Sequence, residues 1–241
     1  MNVNRREFIA ASAVLGAAAA LTPKLGGVGY WFGGTKSGEQ ALSGLQILRS
    51  AQAEAEGFEK GVRDALKGVG ADLSKVASRT LSGKMSWTDW QSLTAMAPGT
   101  VLVGMVTESE FVLVNEILRE TGARVLSQGS HVTGDSRHSR HAFTTTESSA
   151  GLGSAFARWL KTQDLHALVH ETSTRKGALA LTGKPKAEPQ LGGWSEMLGH
   201  ALAKVAVGRW EAGKIEGRIQ VGAGDAFATP KAGYVSFVAT V

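Results

Sequence analysis

The longest helical periodicity in the chain runs over residues 39–69. Leu42, Leu45, Leu48, Ala55, Phe58, Val62 and Leu66 recur at three- and four-residue steps, so the segment reads as one amphipathic helix. Glu54, Glu56, Glu59, Lys60, Arg63, Asp64 and Lys67 take its polar side, and Gly68 and Gly70 end it. Residues 71–81 are polar and read as a strand or loop. Ser86 reads as the N-cap of a short helix that Pro98-Gly99 closes. The apolar run TVLVGMV over residues 100–106 has the length and β-branching of a strand buried on both faces. A helix follows through Phe111, Val112, Val114, Ile117 and Leu118, then a strand at residues 123–126. Together these make one βαβ unit, whose crossover is expected to be right-handed.

Residues 129–141, GSHVTGDSRHSRH, break the apolar pattern and read as a polar loop. Beyond it the pattern predicts a short strand at 143–146, a helix at 148–160, a strand at 165–169, a loop-rich stretch at 171–190 and a helix at 194–210. Strands at 215–221 and 234–241 are expected to close the chain as an antiparallel pair. The alternation predicts an α/β fold, with a mixed, mostly parallel sheet flanked by helices, in one domain over residues 39–241. Its core is expected to include Val101, Leu102, Val103, Phe111, Leu118, Phe156 and Leu168.

The N-terminus has a different character. A positive segment containing Arg5-Arg6 precedes an Ala-rich apolar run ending in small residues at 17–20, the three parts of an export signal. The run is shorter than the ~20 apolar residues a membrane span needs, so no stable transmembrane span is expected. Arg5, Arg6 and Phe8 resemble the twin-arginine (Tat) signal, with Asn4 and Ala10 departing from the usual Ser/Thr and Lys. The resemblance implies that residues 1–20 are a signal segment, that the export machinery is a partner, and that the folded protein reaches the periplasm. Residues 21–38 are glycine-rich around Tyr30-Trp31-Phe32 and read as a linker or docking segment. Residues 56–66 and the later βαβ unit are also similar to one lobe of a type 1 periplasmic-binding fold.

Composition narrows the chemistry. The chain has 241 residues and no cysteine, which excludes disulfides, thiolate catalysis, iron–sulfur clusters and Cys-ligated zinc. Its 26 Lys+Arg against 21 Asp+Glu give a net charge of +5, and export argues against a nucleic-acid partner. Neither a G-x-S-x-G elbow nor an H-E-x-x-H motif occurs. Ser173-x-x-Lys176 stands without the other motifs of its enzyme class. No cofactor or metal is expected.

In open α/β sheets the ligand crevice lies beyond the carboxyl ends of the strands. If the strands are parallel neighbours, Glu108, Ser109, Ser130, His131 and His170 share one rim and bind a small polar ligand. The cluster Arg137, His138, Arg140 and His141 suits an anion or partner contact, because guanidinium forks favour phosphate or carboxylate over a metal cation. The functional reading is a non-enzymatic periplasmic domain that binds a ligand or a co-exported protein. Its alternatives are an accessory subunit of a cell-envelope complex, or a small enzyme using Glu108, His131 and His170.

Overall fold

The computed structural model describes residues 44–81, 86–134, 138–163, 165–174, 193–222 and 232–241. The export signal with Arg5, Arg6 and Phe8, the 21–38 segment, Arg137 and most of the 171–190 stretch lie outside the described residues. The strands are β1 (Leu45–Ser50), β2 (Ala77–Leu81), β3 (Val101–Thr107), β4 (Arg124–Thr133), β5 (His138–Thr145), β6 (His166–Ser173), β7 (Arg218–Val221) and β8 (Ala232–Thr240). The helices are α1 (Ala53–Gly68), α2 (Trp87–Thr94), α3 (Glu108–Glu120), α4 (Leu152–Thr162) and α5 (Trp194–Ala206).

The strands form one sheet in the order β2-β1-β3-β8-β4-β5-β6-β7. The fold is α/β with a mixed sheet, as the pattern predicts. The balance of directions is not: β1–β2, β1–β3 and β5–β6 are parallel, while β3–β8, β4–β8, β4–β5 and β6–β7 are antiparallel. The cause is the C-terminal strand. β8 inserts between β3 and β4, so the two ends of the βαβ unit run the same way without touching. The expected pairing of the last two strands fails for the same reason, because β7 pairs with β6 at the sheet edge.

Two apolar layers sandwich the centre. Phe58 and Val62 of α1, Phe156 and Trp159 of α4 and Leu198 and Leu202 of α5 pack with Ile47, Val103 and Val238 on one face, called here the first. On the second face, Leu93 of α2 and Val114, Ile117 and Leu118 of α3 pack with Leu48, Leu102 and Phe237. β1, β3 and β8 are therefore covered on both sides, which explains why β3 is a continuous apolar run. Across β5, β6 and β7 the second face carries exposed Arg140, Ala142, Thr144, His170, Thr172, Arg218 and Gln220.

α1 and α5 approach through glycines. A Cβ at Gly61 would collide with the carbonyl oxygen of Glu196, and one at Gly199 with that of Phe58. Lys60 Nζ reaches Glu196 Oε1 at 2.8 Å beside this contact.

Three expectations need correction. Residues 45–50 form a strand rather than the first half of a helix. Leu45 and Leu48 satisfy a three-residue step, but β1 lies between two strands and buries both faces, so its spacing mimics a helix. Phe111 and Leu168 are only partly buried, whereas Val101, Leu102, Val103, Leu118 and Phe156 are core residues. Residues 129–141 are not one loop. Among the described residues, 129–133 end β4 and 138–141 begin β5, and the two strands pair antiparallel.

Candidate functional site

β1 and β3 are parallel neighbours, and the chain leaves them in opposite directions. From Ser50 it turns to α1 on the first face, and from Thr107 to α3 on the second. A crevice opens where adjacent parallel strands send their connections to opposite faces of an open sheet. Both helices begin there for local reasons. Thr107 caps α3 reciprocally: its Oγ1 accepts from Glu110 N at 3.3 Å, and its own N–H donates to Glu110 Oε2 at 2.9 Å. Gln52 caps α1 with its backbone, making no side-chain cap bond.

Short polar and acidic residues begin α3 at this switch point. Glu108 and Ser109 are exposed on the first turn of α3. Ser109 Oγ lies 3.1 Å from Thr107 Oγ1. The Glu108 carboxylate sits against Gly233 of β8, where a Cβ would come within 2.6 Å of its carboxyl carbon. On the first-face side, Tyr234 donates its hydroxyl to Glu54 Oε2 at 2.9 Å, tying β8 to the first turn of α1. Burial, reinforced by the Glu54 carboxylate, pushes the Tyr234 phenol above its ordinary range.

Beneath this edge is a buried imidazole pair. His131 and His141 are register partners in β4 and β5, and their Nδ1 atoms are 2.9 Å apart. His131 Nε2 meets Ser236 Oγ at 2.7 Å, and His141 Nε2 meets Ser139 Oγ at 2.7 Å. One Nδ1 therefore carries a proton and the other accepts it, with the serine hydroxyls completing either arrangement. Gly129, opposite Ser236, makes room: a Cβ there would lie 2.7 Å from His131 Nε2. Trp194 approaches both rings, at 5.5 Å and 5.3 Å, and Phe143 and Phe156 close the box. Burial pushes His131 down to about 3. His141 is also held well below its ordinary value, by burial first and by His131 second. Both imidazoles are neutral near pH 7.

The expected rim is divided. His131 points to the first face, while Ser130 and His170 point to the second, on either side of Ala142 in one cross-strand row. The β4–β5 hairpin reverses the chain, so β6 runs antiparallel to β4 and His170 lies in mid-strand rather than at the shared edge. Glu108, His131 and His170 thus lie on two faces and do not form one acid–base set. The basic cluster is divided too. Arg140 is exposed on the second face, but His141 is buried and bonded to His131, so it is no surface anion contact. His138 opens β5 opposite His166, and its side chain lies outside the described residues.

Glu171 stands in mid-strand rather than at a strand-end rim. It is buried on β6, where it accepts from Gly151 N at 2.8 Å, Ser154 N at 3.0 Å, Ser154 Oγ at 3.2 Å and Thr145 Oγ1 at 3.1 Å. It anchors the start of α4, which has no side-chain cap of its own. Burial raises its pKa, with those hydrogen bonds opposing the rise. Tyr234, Glu54 and Ser236 were not singled out by the sequence pattern, and none of them stands in a motif that would have marked it.

Among the described residues no group of three or more His, Cys, Asp or Glu could hold a metal ion. No helix among them is long and apolar enough to cross a membrane. The fold and crevice define an α/β domain with a switch-point edge. The chain matches no protein-family model, no curated protein and no solved structure.

Proposed function

We propose that this chain is an exported α/β domain that binds a small polar ligand at the β1–β3 switch point and does not itself catalyse a reaction. The carrying observation is that adjacent parallel β1 and β3 send their connections to opposite faces. Glu108 and Ser109 line that crevice, and the helix starts around it are held by capping and by the Tyr234–Glu54 bond. Native mass spectrometry of the chain purified from the periplasm tests the reading. A small-molecule adduct is expected, and Ser109→Trp, which crowds the crevice from an exposed position, should remove it. The absence of any adduct, an adduct that survives Ser109→Trp, or turnover of the bound molecule would count against it.

Export is supported by Arg5, Arg6 and Phe8 in their twin-arginine pattern. Replacing both arginines with lysine keeps the charge but removes the planar paired guanidinium groups. The Arg5→Lys/Arg6→Lys chain should accumulate in the cytoplasm, as read by cell fractionation. Unchanged periplasmic levels would leave only generic secretion.

A further inference from the structure

We propose that the His131–His141 pair is an acid-operated latch on Trp194: on taking up a proton it releases the tryptophan and uncovers the rings beneath, while the sheet stays folded. This goes beyond the ligand reading and does not depend on it.

The closed pair has no place for charge. All four ring nitrogens are engaged, the two Nδ1 atoms with each other and the two Nε2 atoms with Ser236 and Ser139. Only one proton fits between the Nδ1 atoms, so a doubly charged pair would set two N–H donors against each other at 2.9 Å. A singly charged pair keeps its hydrogen bonds once a serine hydroxyl turns from donor to acceptor, but it gains no counter-ion, and a buried charge without one is costly.

The titratable groups on the elements packed around the pair are committed elsewhere. Tyr234 of β8, in register with His131, donates to Glu54 of α1. Glu171 of β6, two residues beyond the register partner of His141, is taken up by the start of α4. Arg158 of α4 lies 3.8 Å from Glu216. Glu196 of α5 holds Lys60 of α1. His200, further along α5, is lowered by burial first and then by Lys204, with Asp64 of α1 and Glu196 opposing. Burial accordingly keeps both imidazoles of the pair neutral while the enclosure is closed.

One wall of that enclosure can move. Phe143 stands on β5, paired in register with both β4 and β6. Phe156 is inside α4, whose start Glu171 fastens through Gly151 and Ser154. Trp194 is the first residue of α5 and partly exposed, and Gly193 before it gives the helix no side-chain cap. Its ring lies against both imidazoles and 6.2 Å from the Tyr234 ring. Fraying of an element's end is the least costly opening a fold has, so Trp194 leaves before the strands part. Once it leaves, water reaches the imidazoles. Each proton that only the open form accepts then raises the open-to-closed ratio about tenfold per pH unit below about 6.5. Between pH 7 and pH 5 that amounts to about 25-fold for one imidazole and about 600-fold for two.

Hydroxyl-radical footprinting of the full chain at pH 7 and pH 5, read residue by residue with mass spectrometry, tests this. Trp87, 70% exposed, calibrates the radical dose, and Trp159, 2% exposed in α4, reports global unfolding. Oxidation of Trp194 relative to Trp87 should rise several-fold at pH 5 with Trp159 still protected, and should fall back on return to pH 7. In the His131→Gln/His141→Gln chain Trp194 should be oxidised equally at both pH values, whereas His200→Gln should keep the parent's response. An unchanged Trp194 at pH 5 overturns the latch. So does a parallel rise of Trp194 and Trp159, which would make acid unfolding global. A rise that persists in the double variant, or is lost in His200→Gln, assigns the proton to another group and overturns it as well. The paired readings of Trp194 and Trp159 in the parent chain decide the matter even where the double variant does not fold.

Discussion

Replacing Phe237 with alanine should cost the fold about 3–5 kcal/mol, the range for emptying a large aromatic site in a packed core. Phe237 is fully buried in β8, the strand that holds β3 and β4 together. Its ring sits directly over Gly104 of β3, where any Cβ would run into it, and lies 5.7 Å from the Phe111 ring. Gly104 offers no atoms to collapse into the space left behind, and α3 is pinned to the sheet beside it. Domains are stable by about 5–15 kcal/mol in total, so the variant loses much of its margin. Phe237→Leu keeps most of the volume and should cost about 1.5 kcal/mol. Chemical denaturation of the two variants against the parent measures both. A loss under about 1 kcal/mol for Phe237→Ala would mean that β8 is not the central strand.

β8 also shows what the sequence pattern could carry. Its apolar run YVSFVA reads as a strand without difficulty, and so does TVLVGMV of β3, because both are buried on two faces. Their adjacency is not local information. The register Val103↔Val238 joins positions 135 residues apart, by difference of the two numbers, and no turn signal marks it. β1 misled for a related reason: a short strand covered on both sides has no alternation, and its leucines fell into step with the helix that follows. The caps were legible because their chemistry is local. Ser86 and Thr107 each stand three residues before an acidic partner, and both form reciprocal caps.

The site was legible by halves. Thr107-Glu108-Ser109 follows an unmistakable strand, so its place at a strand end was readable. The histidine pair was not. His131 and His141 lie among polar and charged neighbours, and a polar stretch reads as solvated loop. They are buried because Phe143, two places along β5 from His141, encloses them together with Trp194 and Phe156, which come from elsewhere in the chain. The ten-residue separation between them becomes a contact only once the β4–β5 register is known. Ser236 carries no sequence signal at all, since a lone serine is among the commonest surface residues.

The histidine pair makes the fold sensitive to acid well above the carboxylate range. In the unfolded chain each imidazole titrates near 6.5, while in the folded protein His131 stays neutral down to about 3 and His141 is held well below its ordinary value. Between those limits the unfolded state binds protons that the folded state refuses, so stability is full above pH 6.5 and falls as pH drops. Each fully buried histidine contributes a slope of up to about 1.4 kcal/mol per pH unit, and the two together about 2.7. Burial also lowers His200, which adds in the same direction. The carboxylates do not account for a loss in this window. Asp72 and Asp89 are held below 3.8, chiefly by the hydroxyls of Ser74 and Ser86, so their contribution is lost only at lower pH. Glu171, raised by burial, acts the other way, since its folded form takes up a proton more readily than the unfolded one. Denaturant midpoints taken at pH 7, 6 and 5 should therefore fall by several kcal/mol in stability, most steeply below pH 6. The His131→Gln/His141→Gln chain removes the two imidazoles while keeping hydrogen-bonding side chains, and its stability should change far less between pH 7 and 5 whatever its starting value. A parent chain equally stable at pH 7 and pH 5 would mean that the pair is solvated and its enclosure by Trp194 is open.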